Sequence, residues 1–208
     1  MRPIFSFFKT SYGFLAIGII FLVSCNSNET ETTTTSNSDN TTTATTTDQA
    51  PAPALVSHAE ATITSTYSDT AVNGTVKFDA DSAGNSNKVT MKLELTIPAK
   101  AGKSVAVHIH EHGNCGDTAM LAHGHWNPTN AQHGKWGSDS YHSGDIGNVK
   151  LDSKGKGTLS LTSDRWSLGG AADKNLLGKA IIVHGGTDDY KTQPTGNAGN
   201  RIGCGVIN

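Results

Sequence analysis

From Val72 onward, apolar residues along this chain tend to recur at every second position. Val89, Met91, Leu93, Leu95 and Ile97 alternate over nine residues, which predicts a strand with one face in a core. Val72 to Phe78 predicts another, and further short runs stand at Val149 and Leu151, at Leu159 and Leu161, at Ile181 and Val183, and at Gly203 to Ile207. Turn residues separate them: Ser82 to Asn85, Pro98 to Gly102 and Asp152 to Gly155. No segment repeats at the helical period. The pattern predicts an all-β domain, an antiparallel sandwich or barrel of about eight strands.

One strand differs in what fills its second face. Val105, Val107 and Ile109 alternate with His108 and His110, so two imidazoles share the face opposite the apolar one. Between Glu111 and Gly147 the strand pattern stops, and the segment is rich in Gly, His, Asn and Asp. A segment that long without periodicity in a compact domain is a functional loop. Within it His125, His133, His142 and Asp145 have the spacing H-x7-H-x8-H-x2-D. Three imidazoles and a carboxylate suit a four-coordinate structural zinc site. His108, His110 and the later His184 form an all-nitrogen set, which suits copper. If His125 belonged to both sets, its ring would link the two metals.

The N-terminal third reads differently. Arg2 and Lys9 precede an apolar run from Tyr12 to Val23, the form of a signal peptide over residues 1–24. Leu22-Val23-Ser24-Cys25 resembles the lipobox of bacterial lipoproteins, which would leave a lipid-modified Cys25 as the first residue, anchored to a membrane. Residues 25–54 are mostly Thr, Ser and Asn and offer nothing to bury, so they are expected to act as a disordered tether. About 25 such residues span about 25 to 30 Å. The folded domain is then 55–208, placed outside the cytoplasm.

Charge adds an exclusion. The formal net charge is −2, and loss of Arg2 and Lys9 with the leader takes it to −4. A nucleic-acid partner would need a basic excess, so none is expected. With Cys25 lipidated, Cys115 and Cys204 remain, either as one bridge or as two buried thiols; export favours the bridge.

The blocks His108-Ile109-His110-Glu111, His125-Trp126-Asn127-Pro128, His142-Ser143-Gly144-Asp145, Val183-His184 and Gly196 to Cys204 together resemble the copper/zinc superoxide dismutase family, over essentially all of 55–208. The resemblance implies a Greek-key barrel with long metal-binding loops. It implies copper on His108, His110, His125 and His184, and zinc on His125, His133, His142 and Asp145, with His125 the bridge. It also implies a Cys115–Cys204 disulfide, Asp188 as a carboxylate orienting His108 and His133, and Arg201 beside copper as the guide for superoxide. The implied reaction yields dioxygen and hydrogen peroxide, with His125 and Arg201 as its catalytic side chains. A homodimer is consistent with the family, whose bacterial and eukaryotic members pair through different faces. The rival from another class is a non-catalytic copper- and zinc-binding surface lipoprotein of the same fold.

Some positions depart from the pattern. His112 stands where many relatives carry Phe and is read as packing. His123 is read as a loop residue able to take stray metal. The lysine and glutamates that guide superoxide in eukaryotic relatives are not matched, and Lys135 or Lys191 is the expected substitute.

Overall fold

A computed structural model describes residues 51–81 and 87–208 of the 208. The leader, Cys25 and the tether as far as Ala50 lie outside the described residues, as does the turn expected at Ser82 to Asn85. The strands are β1 (His58–Ser65), β2 (Asn73–Ala80), β3 (Val89–Thr96), β4 (Ser104–His110), β5 (Gly147–Lys150), β6 (Lys156–Ser163), β7 (Ala180–His184) and β8 (Arg201–Val206). All pairings are antiparallel, in the order β5-β4-β7-β8-β1-β2-β3-β6. The edge strands β5 and β6 follow one another in the chain. Their connecting turn, in which the Asp152 carboxylate accepts from the Lys154 and Lys156 amides at 2.8 Å each, draws the edges together into a nearly closed barrel. The neighbours β4–β7 and β3–β6 are distant in sequence and arise from Greek-key crossings between the halves of the sheet. Among the described residues no helix is long and apolar enough to cross a membrane.

Alternation explains the core. Val89, Met91, Leu93 and Leu95 of β3 are buried while Lys92 and Glu94 face water. They meet Val76 and Phe78 of β2, and Phe78 sets its edge against Trp166 with centroids 6.2 Å apart. An edge-to-face aromatic pair contributes about 0.5–1.5 kcal/mol beyond its buried area.

β4 departs from this half-buried pattern. Val105 through His110 are all buried, so its histidine face lies beneath the loops and is not left to solvent. β1 is a strand that hydrophobic alternation did not single out. Its inward residues, Ala59, Ala61 and Ile63, are small enough to give little contrast with the threonines between them. Order also begins earlier than residue 55. The Pro53 carbonyl accepts from Gly170 at 2.8 Å and the Val56 amide donates to Leu168 at 2.9 Å, so the end of the expected tether is already pinned to the barrel.

Candidate metal centre

His108 and His110 are two residues apart on one face of β4 and fully buried. β7 runs antiparallel beside them and ends at His184, where a register irregularity between Val183 and His184 re-aims the last side chain, as bulges do. His125 comes from the long loop, which returns to pair with β4 through a single bridge between His125 and His110. That return needs glycine at 144: its amide donates to the Trp126 carbonyl at 3.0 Å and its carbonyl accepts from Ile109 at 2.9 Å. A Cβ there would collide with the Ile109 carbonyl oxygen.

Each of these four rings is tethered through one nitrogen. His110 Nδ1 donates to the His123 carbonyl at 2.8 Å and His184 Nδ1 to the Gly199 carbonyl at 3.1 Å. His108 Nε2 lies 2.9 Å from Asp188 Oδ2, and His125 Nδ1 lies 2.8 Å from Asp145 Oδ1. The opposite nitrogens (His108 Nδ1, His110 Nε2, His125 Nε2 and His184 Nε2) are buried without a partner. A buried polar atom left unpaired costs about 1–3 kcal/mol. Ligand atoms of these four residues lie within 4.8 Å of one another, so a single ion can satisfy them together. Four neutral imidazole nitrogens are a donor set for copper.

The second cluster shares His125. Nδ1 of His125, His133 and His142 stand 2.8, 3.0 and 3.1 Å from one oxygen, Asp145 Oδ1. The His133 and His142 nitrogens have no hydrogen bond there despite the short distances, because the rings do not point at the oxygen. A tetrahedron of ligands about 2.0 Å from zinc has edges of about 3.3 Å, close to this spacing. Three imidazoles and a carboxylate crowd around a common point, as the ligands of one ion would. Asp145 Oδ2 is held from behind by the amides of His142 at 2.8 Å and Gly134 at 3.0 Å.

Electrostatics matches this arrangement. Burial pushes His125 down to about 4 and His184 to about 3; neighbouring His108 adds to the downward shift at both. Burial, then His125 and His184, holds His110 well below its ordinary value, and burial also lowers His108 against the pull of Asp188. These rings are therefore neutral near pH 7, the form in which imidazole can ligate a metal. His133 goes the other way: burial disfavours its charge, but the close carboxylate of Asp145 and the hydrogen bond and charge of Asp188 outweigh that and raise it to about 9. Asp145 is held far below the usual carboxylate range, since the hydrogen bond from His125 and the close approach of His133 and His142, with the backbone amide of His142, outweigh its burial.

Asp188 joins the clusters. Its Oδ2 meets His108 Nε2, and its Oδ1 meets His133 Nε2 at 2.9 Å and accepts from the Tyr190 amide at 2.7 Å. Gly196 makes this possible, because at its φ of +67° a Cβ would overlap Asp188 Oδ1.

Arg201 opens β8 and is half-buried. Its Nη1 donates to the Ala119 carbonyl at 2.6 Å and its Nη2 to the His123 carbonyl at 2.7 Å. Its charge helps disfavour protonation of His110 and His184, which places it beside the first cluster. The loop segment it grips is stapled to β8 by the Cys115–Cys204 disulfide.

Two supports carry no sequence signal. Gln193 clamps the His133 backbone with Oε1 and Nε2, at 2.8 and 2.9 Å. Asn148 of β5 does the same for Asp188, accepting from its amide at 2.8 Å and donating to its carbonyl at 2.9 Å. Only the fold brings such amides to their targets. His112 does not pack into the core as expected; it is exposed and meets the His123 ring. Lys135 and Lys191 are exposed.

The family model for copper/zinc superoxide dismutase matches residues 72–207. Superoxide dismutase [Cu-Zn] 2 of Aquifex aeolicus is 36% identical, over 74% of this chain and 86% of that one. The [Cu-Zn] 1 protein of the same organism is 39% identical over 57% and 72%. Extracellular superoxide dismutase [Cu-Zn] of Caenorhabditis elegans is 31% identical over 66% and 62%. The crystal structure of the clock protein EA4 superposes with a TM-score of 0.64 at 29% identity, covering 74% of this chain and 95% of that one.

Proposed function

This chain belongs to the copper/zinc superoxide dismutase family, and on that premise we propose that it dismutes superoxide outside the cytoplasm, with copper held by His108, His110, His125 and His184, and zinc by His125, His133, His142 and Asp145. One observation carries the assignment: His125 offers Nε2 to one cluster and Nδ1 to the other, and the partnerless nitrogens of its neighbours converge on either side of it. When bound, copper supplies a one-electron couple that oxidises one superoxide to dioxygen and reduces a second toward hydrogen peroxide, while zinc, which keeps one oxidation state, holds the loop.

The protein's own groups do the rest. Arg201 presents N–H donors and a fixed positive charge to a small anion, and its carbonyl anchors at 119 and 123 keep the guanidinium in place. His125 Nε2 takes up a proton when it is not serving as a ligand and passes it to the reduced substrate; solvent supplies the second proton that peroxide requires. The opposite nitrogen, Nδ1, stays turned toward Asp145 and the second cluster, where zinc would hold it, so the ring keeps its orientation as the proton comes and goes. Asp188 fixes the orientation of His108 and His133 at once.

The same reading includes a leader over residues 1–24, a lipid anchor on Cys25, a tether to about residue 54 and pairing into a homodimer. Its supports are the apolar run with its lipobox, a disulfide that persists in oxidising compartments, and a relative named as extracellular. Mass spectrometry of the mature N-terminus tests the anchor, and sedimentation tests the pairing.

The decisive experiment is superoxide-consumption kinetics on metal-analysed protein beside His125→Ala. The expected result is one copper and one zinc per chain and rapid turnover, reduced by well over about 100-fold in the variant, beyond what changes to supporting residues usually cost. A protein carrying both metals without turnover would instead be the non-catalytic metal-binding lipoprotein.

A further inference from the structure

The loop that returns to β4 at His125 continues beside it for two more residues. His110 is opposite His125; next along, the Glu111 amide donates to the Gly124 carbonyl at 3.1 Å, and then the His112 amide to the Ala122 carbonyl at 3.2 Å. Regular pairing ends at that bridge and the second bond skips His123, yet the His112 ring meets the His123 ring much as the His110 ring meets that of His125. Ring centroids are 4.5 Å apart at 86° in the outer pair and 5.0 Å apart at 65° in the inner one.

The outer pair is exposed, and the Glu111 side chain comes round to it. Ligand atoms of Glu111, His112 and His123 all lie within 4.8 Å of one another. Two imidazoles and one carboxylate, with the remaining coordination positions open to water, suit a borderline divalent ion such as zinc or copper. The backbone beneath is already ordered. His123 is kept at a φ of +61°, and its carbonyl accepts from both His110 Nδ1 and Arg201 Nη2. Much of the ordering needed to gather three ligands is therefore done before an ion arrives.

We propose that Glu111, His112 and His123 form a third, solvent-open site for a divalent zinc or copper ion, just beyond the end of the strand that carries His108 and His110. An ion there adds positive charge next to the residue that anchors Arg201. That consequence for substrate rests on the proposed role of Arg201, whereas the site itself does not.

Calorimetric titration of the full chain, loaded with copper and zinc, with zinc chloride tests the proposal. The expected result is one further equivalent of zinc in the wild type, lost in His112→Ala and in His123→Gly, the latter chosen because glycine accepts the backbone angle. Glu111→Gln should weaken that equivalent by at least about tenfold, the lower bound even for groups that only support a ligand. Metal analysis of the same samples should still find one copper and one zinc in the buried clusters, which reports folding independently of the outer site. No third equivalent in the wild type, or one that persists at full affinity in the two histidine variants, overturns the proposal. A wrong metal in the buried clusters would count against the proposed function and leave this site standing.

Discussion

The two buried clusters share a ring, yet they are built by different means. The first takes His108 and His110 from β4 and His184 from the end of β7, so three of its four members are set by the hydrogen-bond register of a sheet. The second takes His125, His133, His142 and Asp145 from a loop without regular structure, and its geometry rests on Asp145, on Gln193 and on whatever the cluster itself binds. Strand pairing supplies many bonds that do not depend on a ligand, whereas a polar loop gains little from burying apolar area. In the proposed assignment, rigid strands hold the metal that exchanges electrons, and the loop carries the metal that orders it.

Removing the metals should expose that contrast most strongly. In hydrogen exchange, chelation is expected to strip the loop around His133 and His142 of its protection while β4 amides stay protected; equal loss in both would break the distinction. Next in size is the staple. Cys115→Ser opens a link spanning 89 residues, and the chain-entropy model puts the loss at about 4 to 5 kcal/mol. Thermal or denaturant unfolding measures it, and turnover should fall as well, because Arg201 grips the stapled segment. A smaller change tests the connection between clusters. Asp188→Asn keeps the shape but weakens the hold on both His108 and His133, so affinity for copper and for zinc should each drop about 10- to 100-fold, read by competition with chelators. A drop for one metal alone would mean that the carboxylate serves one cluster. Smallest is Arg201→Gln, expected to slow superoxide consumption about tenfold and to flatten its dependence on salt, with both metals retained.

Much of the barrel was visible in the sequence because β3 and β6 alternate large apolar residues with polar ones. β1 escaped notice because Ala59 and Ala61 lack that contrast, although the register with β2 and β8 holds the strand firmly in place. The clusters were legible to an unusual degree, since histidines at H-x-H and H-x7-H-x8-H-x2-D are rare and chemically specific. His112 misled, because a position filled by Phe in relatives suggested a buried side chain, and here it faces water against His123.

Residue type and spacing alone determined the strand-rich class, the identity of the candidate ligands and the pairing open to Cys115 and Cys204. Tertiary structure alone decided which nitrogen of each ring is left free, that Asp145 gathers three imidazoles around one oxygen, and that Gln193, Asn148 and the His123 carbonyl hold the site in position. The reason is physical: a sequence specifies chemical groups and local periods, but a ring's free nitrogen depends on which partner claims the other one, and those partners lie as many as 80 residues away.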